Sequence, residues 1–270
     1  MTGAWRGACG DGPVVTGRAA AGPAGRPAGP AGPAVRAVRA VRSGGDGGLW
    51  ERSQRRIIDV MTQSPTIRRY RPEDRAALYD ICVRTALEGG DSRAVHPDLE
   101  LLPSIFAAPY AVLEPDLAFV VDDGERAVGY ILATADTGTF VKRYRAEWLP
   151  KLTGRYPRPT QPPTTPGEQM IDLMHRPERM LIPELAGYPA HLHIDLLPDH
   201  QRAGHGRALV DRLLAALRAK GVGAVHLGMV TANTPARAFY DRLGFHRVAV
   251  PEPGPITYLG RSTEGPTGRS

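Results

Sequence analysis

The segment that most constrains this chain is residues 191–240, where a strand pattern, a glycine-containing turn and two helix patterns follow each other directly. Residues 191–196 alternate polar and apolar side chains, which is the period of a half-buried β-strand. Pro198 ends that pattern, because proline has no N–H to donate to a sheet. The turn QRAGHGR at 201–207 then leads into a helix. The segment therefore predicts a strand–turn–helix unit with two glycines at the start of the helix.

The helix after the turn has one apolar stripe, typical of a helix that packs a single face on a core. The stripe consists of Leu209, Val210, Leu213, Leu214 and Leu217. A second strand is predicted at 224–230, and Asn233 opens another helix that carries Phe239 and Tyr240. Because Tyr240 follows Asn233 by seven residues, or about two helical turns, the two side chains face the same side.

The turn has the features of an anion-binding loop. A loop at a helix N-terminus presents unpaired backbone N–H groups and the positive end of the helix dipole, which together suit a pyrophosphate. Gly204 and Gly206 allow a close approach of the backbone, and Arg202 and Arg207 can donate charge-assisted hydrogen bonds. Taken alone, the two glycines fit a plain strand-to-helix connection equally well, since glycine is common in turns.

Three motifs stand in a fixed order: Q-x-x-G-x-G at 201–206, Asn233 with Tyr240, and Leu-Gly-Phe at 243–245. In this order they resemble the GNAT superfamily of N-acetyltransferases, over roughly residues 66–261. Further short segments are similar to the acetyltransferase-like domain found beside O-GlcNAc hydrolases and to its bacterial relatives. These segments are GDS at 90–92, APY at 108–110, LAFV at 117–120, GYIL at 129–132, YP at 156–157 and YPAHLHID at 188–195.

The resemblance implies an α/β (α+β) fold of the GNAT type. Its mixed, mostly antiparallel central sheet splays at the fourth strand and has helices on both faces, and this chain adds a helical insertion at 136–187 between the third and fourth strands. The resemblance also implies acetyl-CoA as co-substrate and no metal. The cofactor contacts that it assigns are Leu196 and Leu197 through their backbone, and Gln201, Arg202, Ala203, Gly204, His205, Gly206, Arg207, Asn233 and Tyr240.

Direct attack of a neutral primary amine on a thioester needs a base for the amine proton and a donor for the leaving thiolate. The resemblance makes Tyr240 that donor, although Tyr240 also fits as a packing residue beside Phe239. Asp195 is the candidate base, with His193 on the same strand face as the alternative, because apolar surroundings raise the pKa of a carboxyl group. Asp195 fits equally well as an anchor for a neighbouring loop. Weaker candidates for acceptor contacts are Asp91, Tyr110, Tyr130, Asp172 and His193.

Two other classes of function stay open. His191 and His193 have the H-x-H spacing of a zinc site, but no third residue of the chain has ligand spacing. The domain could instead bind acetyl-CoA without catalysis, or bind only a protein partner, as in hydrolase-associated relatives that have lost the cofactor loop. Gln201, Gly204 and Gly206 are present here, which favours cofactor binding. The sequence does not identify the amine acceptor.

The positive charge of the chain lies mainly outside the predicted domain. Residues 1–60 contain nine basic and four acidic side chains, whereas residues 61–270 contain 25 and 24. The near-neutral domain argues against a nucleic-acid partner. No apolar run reaches the ~18 residues of a membrane span, and the two cysteines do not suggest a disulfide framework. We therefore expect a cytoplasmic protein. A homodimer is a separate possibility.

The predicted organisation is a disordered tail rich in Gly, Ala, Pro and Arg at 1–62, a GNAT domain at 63–262 and a frayed terminus at 263–270. Met61 is an alternative start of the protein. The insertion forms either one wall of the acceptor site or a decorative cap. The remaining predicted strands are 66–70, 117–121, 127–135, 245–251 and 256–261, and the remaining predicted helices are 75–87, 99–107, 140–152 and 168–175.

Overall fold

The structure is a computed structural model that describes residues 64–264. The tail predicted at 1–62, the alternative start at Met61 and residues 265–270 lie outside the described residues. Thr263 was assigned to the frayed terminus, but it is buried and its hydroxyl donates to the carbonyl oxygen of Val222 at 2.7 Å. The domain therefore extends past the boundary predicted at 262. No helix within the described part is long and apolar enough to cross a membrane.

In the described part of the chain, seven strands form one sheet in the order β1-β2-β3-β4-β5-β7-β6. Every neighbouring pair is antiparallel except β4 and β5, which run parallel, so the mixed, mostly antiparallel sheet is confirmed. β2 and β3 are buried on both faces and therefore have continuous apolar sequences. The strands are β1 (Thr66–Arg69), β2 (Ala118–Asp122), β3 (Ala127–Thr134), β4 (Ala190–Leu196), β5 (Ala224–Val230), β6 (His246–Val248) and β7 (Ile256–Ser262).

Helices cover both faces of this sheet. They are α1 (Arg75–Thr85), α2 (Leu101–Phe106), α3 (Ala108–Leu113), α4 (Thr137–Arg143), α5 (Pro166–Met174), α6 (His205–Ala219) and α7 (Thr234–Arg242). The stripe predicted for α6 is buried throughout. The helix predicted at 99–107 is found as α2, but α3 was not predicted, and Pro109 lies in the first turn of α3 rather than ending a helix. Proline is tolerated there since the first N–H groups of a helix have no intrahelical partner.

The sheet opens between β4 and β5. These two strands pair only at Ala190 with Val225 and at His191 with His226, and the rest of β4 is unpaired on that side. On its other side β4 pairs with β3 as far as Leu196. Alternate residues of a strand direct their peptide groups to opposite neighbours. The peptide groups of alternate residues, ending with Leu196, therefore line a gap where β5 would otherwise pair.

The insertion between β3 and β4 is helical, as predicted. Asp136 caps α4 by accepting from the Thr139 N–H at 2.7 Å, and a π-helical turn, Tyr144–Trp148, follows α4. Thr165 caps α5 in the same manner, through the N–H of Glu168. The Trp148 indole donates to the carbonyl oxygen of Ser104 in α2 at 2.9 Å, so the insertion is anchored to the core.

Candidate active site

The turn at 201–207 ends against the open side of β4. The side-chain amide of Gln201 donates to the carbonyl oxygen of Leu196 at 2.9 Å, which ties the turn to the strand. Gly204 has φ of 87° and precedes α6 directly, a left-handed conformation that favours glycine. Among residues 64–264, no protein acceptor takes the backbone N–H groups of 202–207. The turn thus presents a row of free donors at the positive end of a helix.

Gly206 is needed for a different reason from Gly204. A Cβ atom at Gly206 would lie 3.1 Å from Cζ of Phe239 in α7, whereas a Cβ at Gly204 would meet nothing. Gly206 therefore lets α6 and α7 pack closely, and Gly204 shapes the turn. Arg202 and Arg207 are exposed on this turn, where they can reach an anion.

Asp195 is the titratable group at the centre of the site. Its Oδ2 accepts a hydrogen bond from the Tyr130 hydroxyl at 2.6 Å across the β3–β4 ladder. Burial raises the pKa of Asp195 from 3.8 to about 6, while hydrogen bonds from Tyr130 and Thr85 act in the opposite direction. A carboxyl group with this pKa is ionised at neutral pH and holds a proton more strongly than an exposed one, which suits a base.

Tyr240 on α7 lies close to this carboxylate. Its side chain is only 8% exposed, and it contacts the rings of Phe239 and Phe245 at centroid distances of 5.2 and 5.4 Å. Burial raises the pKa of Tyr240, and the negative charge of Asp195 raises it further. Tyr240 is therefore a neutral phenol that can donate a hydrogen bond, and its packing against Phe239 is compatible with that role.

A row of hydrogen-bonded side chains continues along β4 from Asp195. The hydroxyl of Tyr110 lies 2.7 Å from Nε2 of His191 and 3.1 Å from Nε2 of His193. Nδ1 of His191 lies 2.8 Å from the hydroxyl of Thr137. Burial, followed by the charges of Arg179 and His226, lowers the pKa of His193 to about 4, so His193 is a weaker base than Asp195.

The same hydrogen bonds bear on the zinc alternative. Nε2 of both histidines is directed at Tyr110 rather than at a common open point. Within residues 64–264, no group of three or more His, Cys, Asp or Glu side chains is arranged to hold a metal ion. The two histidines position Tyr110 instead.

Comparison with known proteins identifies the family. The profile of the acetyltransferase (GNAT) family matches residues 174–245, which include β4, the turn and both following helices. A crystal structure described as SsHAT is 64% identical in sequence, and the match covers 75% of this chain and 100% of that chain with a TM-score of 0.73. The chain belongs to the GNAT acetyltransferase family. The family predicted from the motifs is thereby confirmed, together with its fold.

The curated relatives of this GNAT chain are more distant. The O-GlcNAcase of Rattus norvegicus is 27% identical over 201 residues, which is 73% of this chain but only 22% of that protein. The mycothiol acetyltransferase of Beutenbergia cavernae is 51% identical over 53 residues, 20% of this chain and 18% of that protein. The chain thus spans about a fifth of the length of each of these relatives.

The structure brings together some of the residues singled out in the GNAT sequence and not others. Tyr130 donates to Asp195, whose charge also acts on Tyr240, and Tyr110 of α3 contacts His193 of β4. The other two acceptor candidates instead form ion pairs with neighbouring arginines: Asp91 with Arg93 and Asp172 with Arg176.

Two residues predicted to contact the cofactor in the GNAT site form hydrogen bonds to other residues of the protein instead. Asn233 caps α7 by accepting from the Ala236 N–H at 3.1 Å, and its amide donates to the Glu88 carbonyl at 3.2 Å. The N–H of Leu197 donates to the Val128 carbonyl at 3.0 Å, so Leu197 cannot offer that group to a ligand. The sequence does not show this, because the direction of a peptide group depends on the register with β3. The N–H that faces the gap belongs to Leu196.

One charged residue near the site has no counterpart in the sequence-based predictions. Arg179 lies in a 3-10 turn of the insertion, Pro177–Met180, and its charge contributes to the low pKa of His193. An arginine between prolines in an irregular segment matches no motif, so no pattern in the sequence singles it out.

Proposed function

We propose that this chain transfers the acetyl group of acetyl-CoA to a primary amine by direct attack of the amine on the thioester. The observation that carries the proposal is a carboxylate of raised pKa, Asp195, on the strand whose edge is open, with a neutral phenol, Tyr240, within range of its charge. A base and a donor are the two groups that aminolysis of a thioester requires.

The chain offers acetyl-CoA a fitting site. The free N–H groups of 202–207 would hold the pyrophosphate at the start of α6, with Arg202 and Arg207 adding charge. The gap between β4 and β5 would take the pantetheine arm, whose amide groups can pair with the unpaired peptide groups of β4. Ala203 and His205 would contribute through their backbone.

The side chains then act on the reacting groups. Asp195 accepts the proton of the attacking amine, directly or through water, and Tyr130 holds the carboxylate in place. The Leu196 N–H is the candidate donor to the thioester oxygen, where negative charge develops. Tyr240 hydrogen-bonds the departing thiolate. Since a thiol titrates near ~8.5 and a tyrosine near ~10, complete proton transfer from Tyr240 is uphill and stabilisation by the hydrogen bond suffices.

A second candidate function is binding of acetyl-CoA without catalysis. It is favoured by the match to O-GlcNAcase, a protein whose name describes an activity other than acetyl transfer and of which this chain covers 22%. Both functions use the same turn and gap. They differ only in whether Asp195 and Tyr240 act on an amine.

Turnover separates the two functions. Purified protein is incubated with acetyl-CoA and a panel of primary amines, with release of free thiol and the mass of the product as readouts. The acetyltransferase releases thiol with at least one amine, and Asp195→Asn slows this release without weakening acetyl-CoA binding in calorimetry. Micromolar binding of acetyl-CoA with no thiol release for any amine would instead favour the non-catalytic function.

A further inference from the structure

Arg179 is a cation without a counter-ion in the described part of the chain. Its Nε atom is buried and has no hydrogen-bond partner there. Glu178, the adjacent carboxylate, pairs instead with Arg145, Asp172 pairs with Arg176, and Glu184 is exposed. Burying a charge is costly unless it is paired, and buried arginines are normally bound by an acceptor. A missing anionic partner therefore needs an explanation.

The side chains around Arg179 are donors as well. Tyr144 of the π-helical turn has a buried hydroxyl without a hydrogen-bond partner among residues 64–264. Burial raises the pKa of Tyr144 and of Tyr258 on β7, and in both the positive charge of Arg179 acts in the opposite direction. Two unsatisfied donors, one of them charged, thus lie near each other with no acceptor. This arrangement complements an anion.

This cluster adjoins the row of side chains that leads to the base. Met180, the residue after Arg179, contacts the Tyr110 hydroxyl through its sulfur at 3.9 Å, and Tyr110 in turn contacts His193 at 3.1 Å. Asp195 lies two residues further along the same face of β4, a separation of roughly 7 Å. The cluster is therefore connected to the base through Tyr110 and His193, on the same face of β4.

We propose that the amine acceptor carries an anionic group, a carboxylate or a phosphate, which Arg179 binds while the amine faces Asp195. This rests on the proposed acetyl transfer to an amine and specifies its substrate class. The guanidinium donates to the anion, with Tyr144 as a second donor. The insertion thereby acts as one wall of the acceptor site. A neutral amine lacks this contact and binds more weakly.

The test compares acceptors that differ only in the anion. Linear ω-amino acids of increasing length are each paired with the alkylamine of the same length, and aminoalkyl phosphates form a third series. In wild type we expect kcat/KM to favour the anionic member of a pair by about 10- to 100-fold, the effect of one charge-assisted hydrogen bond. The better of the two anionic series identifies the group. In Arg179→Gln the preference should vanish through KM, with neutral amines unaffected.

Three controls separate binding of the acceptor from other roles of Arg179. Arg176→Gln removes an exposed arginine of the same segment and should keep the preference, unless long-range charge alone causes it. The melting temperature of Arg179→Gln should not fall, because the variant removes a half-buried charge that has no ion-pair partner among residues 64–264. The affinity of Arg179→Gln for acetyl-CoA should equal that of wild type.

Each opposite result would overturn the inference. A preference for anionic acceptors that survives Arg179→Gln, or is absent in wild type, excludes the contact. A large fall in melting temperature makes Arg179 structural, and weaker acetyl-CoA binding assigns it to the cofactor. If wild type releases no thiol with any amine, acetyl transfer fails, and calorimetric titration of the same amines into protein saturated with coenzyme A tests the anion contact independently. Equal affinities for the anionic and neutral members would then refute it.

Discussion

Replacing Tyr130 by phenylalanine should move the pH dependence of the reaction in a calculable direction. The Tyr130 hydroxyl donates to Asp195 at 2.6 Å and thereby lowers the pKa of a carboxyl that burial raises to about 6. A hydrogen bond to a charged group contributes roughly 1.5–3 kcal/mol, and one pKa unit corresponds to ~1.4 kcal/mol. Removing the hydroxyl should therefore raise the pKa of Asp195 by roughly one to two further units, to about 7–8.

The assay is the ratio of kcat/KM for Tyr130→Phe to that for wild type, measured across pH with the best acceptor of the panel. Forming this ratio cancels the titration of the amine itself. A base acts only when ionised, so the ratio should be constant above the pKa of the variant and should fall by about 10- to 100-fold at pH values below that of wild type. Asp195→Asn has no carboxylate to protonate at this position. Its kcat/KM should therefore lack the acidic limb, which is the fall at low pH that protonation of Asp195 causes in wild type.

The matched control is Tyr156→Phe. It removes another tyrosine–aspartate hydrogen bond, from Tyr156 to Asp98 at 2.9 Å, at the edge of the insertion and away from β4. Its ratio to wild type should be independent of pH. A flat ratio for Tyr130→Phe, or an acidic limb that persists in Asp195→Asn, would refute the assignment of Asp195 as the base.

Three further changes have defined outcomes. Tyr240→Phe should lower kcat by about 10- to 100-fold, from the loss of one hydrogen bond to a charged leaving group, with acetyl-CoA affinity unchanged in calorimetry; equal kcat would remove Tyr240 from the reaction. Gly204→Asp should abolish acetyl-CoA binding, because a carboxylate would face the pyrophosphate and φ of 87° disfavours a side chain; unchanged affinity would contradict the turn assignment. The pKa of Asp195 is raised on folding, so wild type loses stability as pH rises from about 4 through about 6. At neutral pH the free energy of unfolding of Asp195→Asn, measured with denaturant, should therefore exceed that of wild type by on the order of 3 kcal/mol. At pH 4 this difference should be absent.

The parts of the fold that could be predicted from sequence are those encoded by local periodicity. The stripe of α6 and the glycine turn depend on residues close together in the chain, and both are where the sequence places them. Helix α3 was missed because Pro109 is compatible with either the end of one helix or the start of the next. Only the packing of the two short helices on the core decides between them.

The candidate site was predictable only where a motif carries the chemistry. Asp195 and Tyr240 follow from the strand pattern and the helix motif, whereas the hydrogen bond from Tyr130 depends on the β3–β4 register. Gly206 was assigned to the approach of an anion, yet its closest contact is Phe239 on the adjacent helix. Arg179 could not be found at all, since the role proposed for it depends on the lack of a hydrogen-bond partner for its Nε among residues 64–264, which is a three-dimensional property.

Along β4, the side chains and the peptide groups of successive residues alternate in direction, so side chains and backbone have separate roles in the proposed site. His191, His193 and Asp195 bond through their peptide groups to β3, so their side chains share the face that carries Tyr110 and Tyr130. The intervening residues, ending with Leu196, turn their peptide groups to the gap left by β5. One strand can therefore hold a pantetheine arm through its backbone and an amine acceptor through its side chains. Because the two sets do not overlap, substitutions of the three side chains should alter acceptor kinetics while leaving acetyl-CoA affinity near the wild-type value.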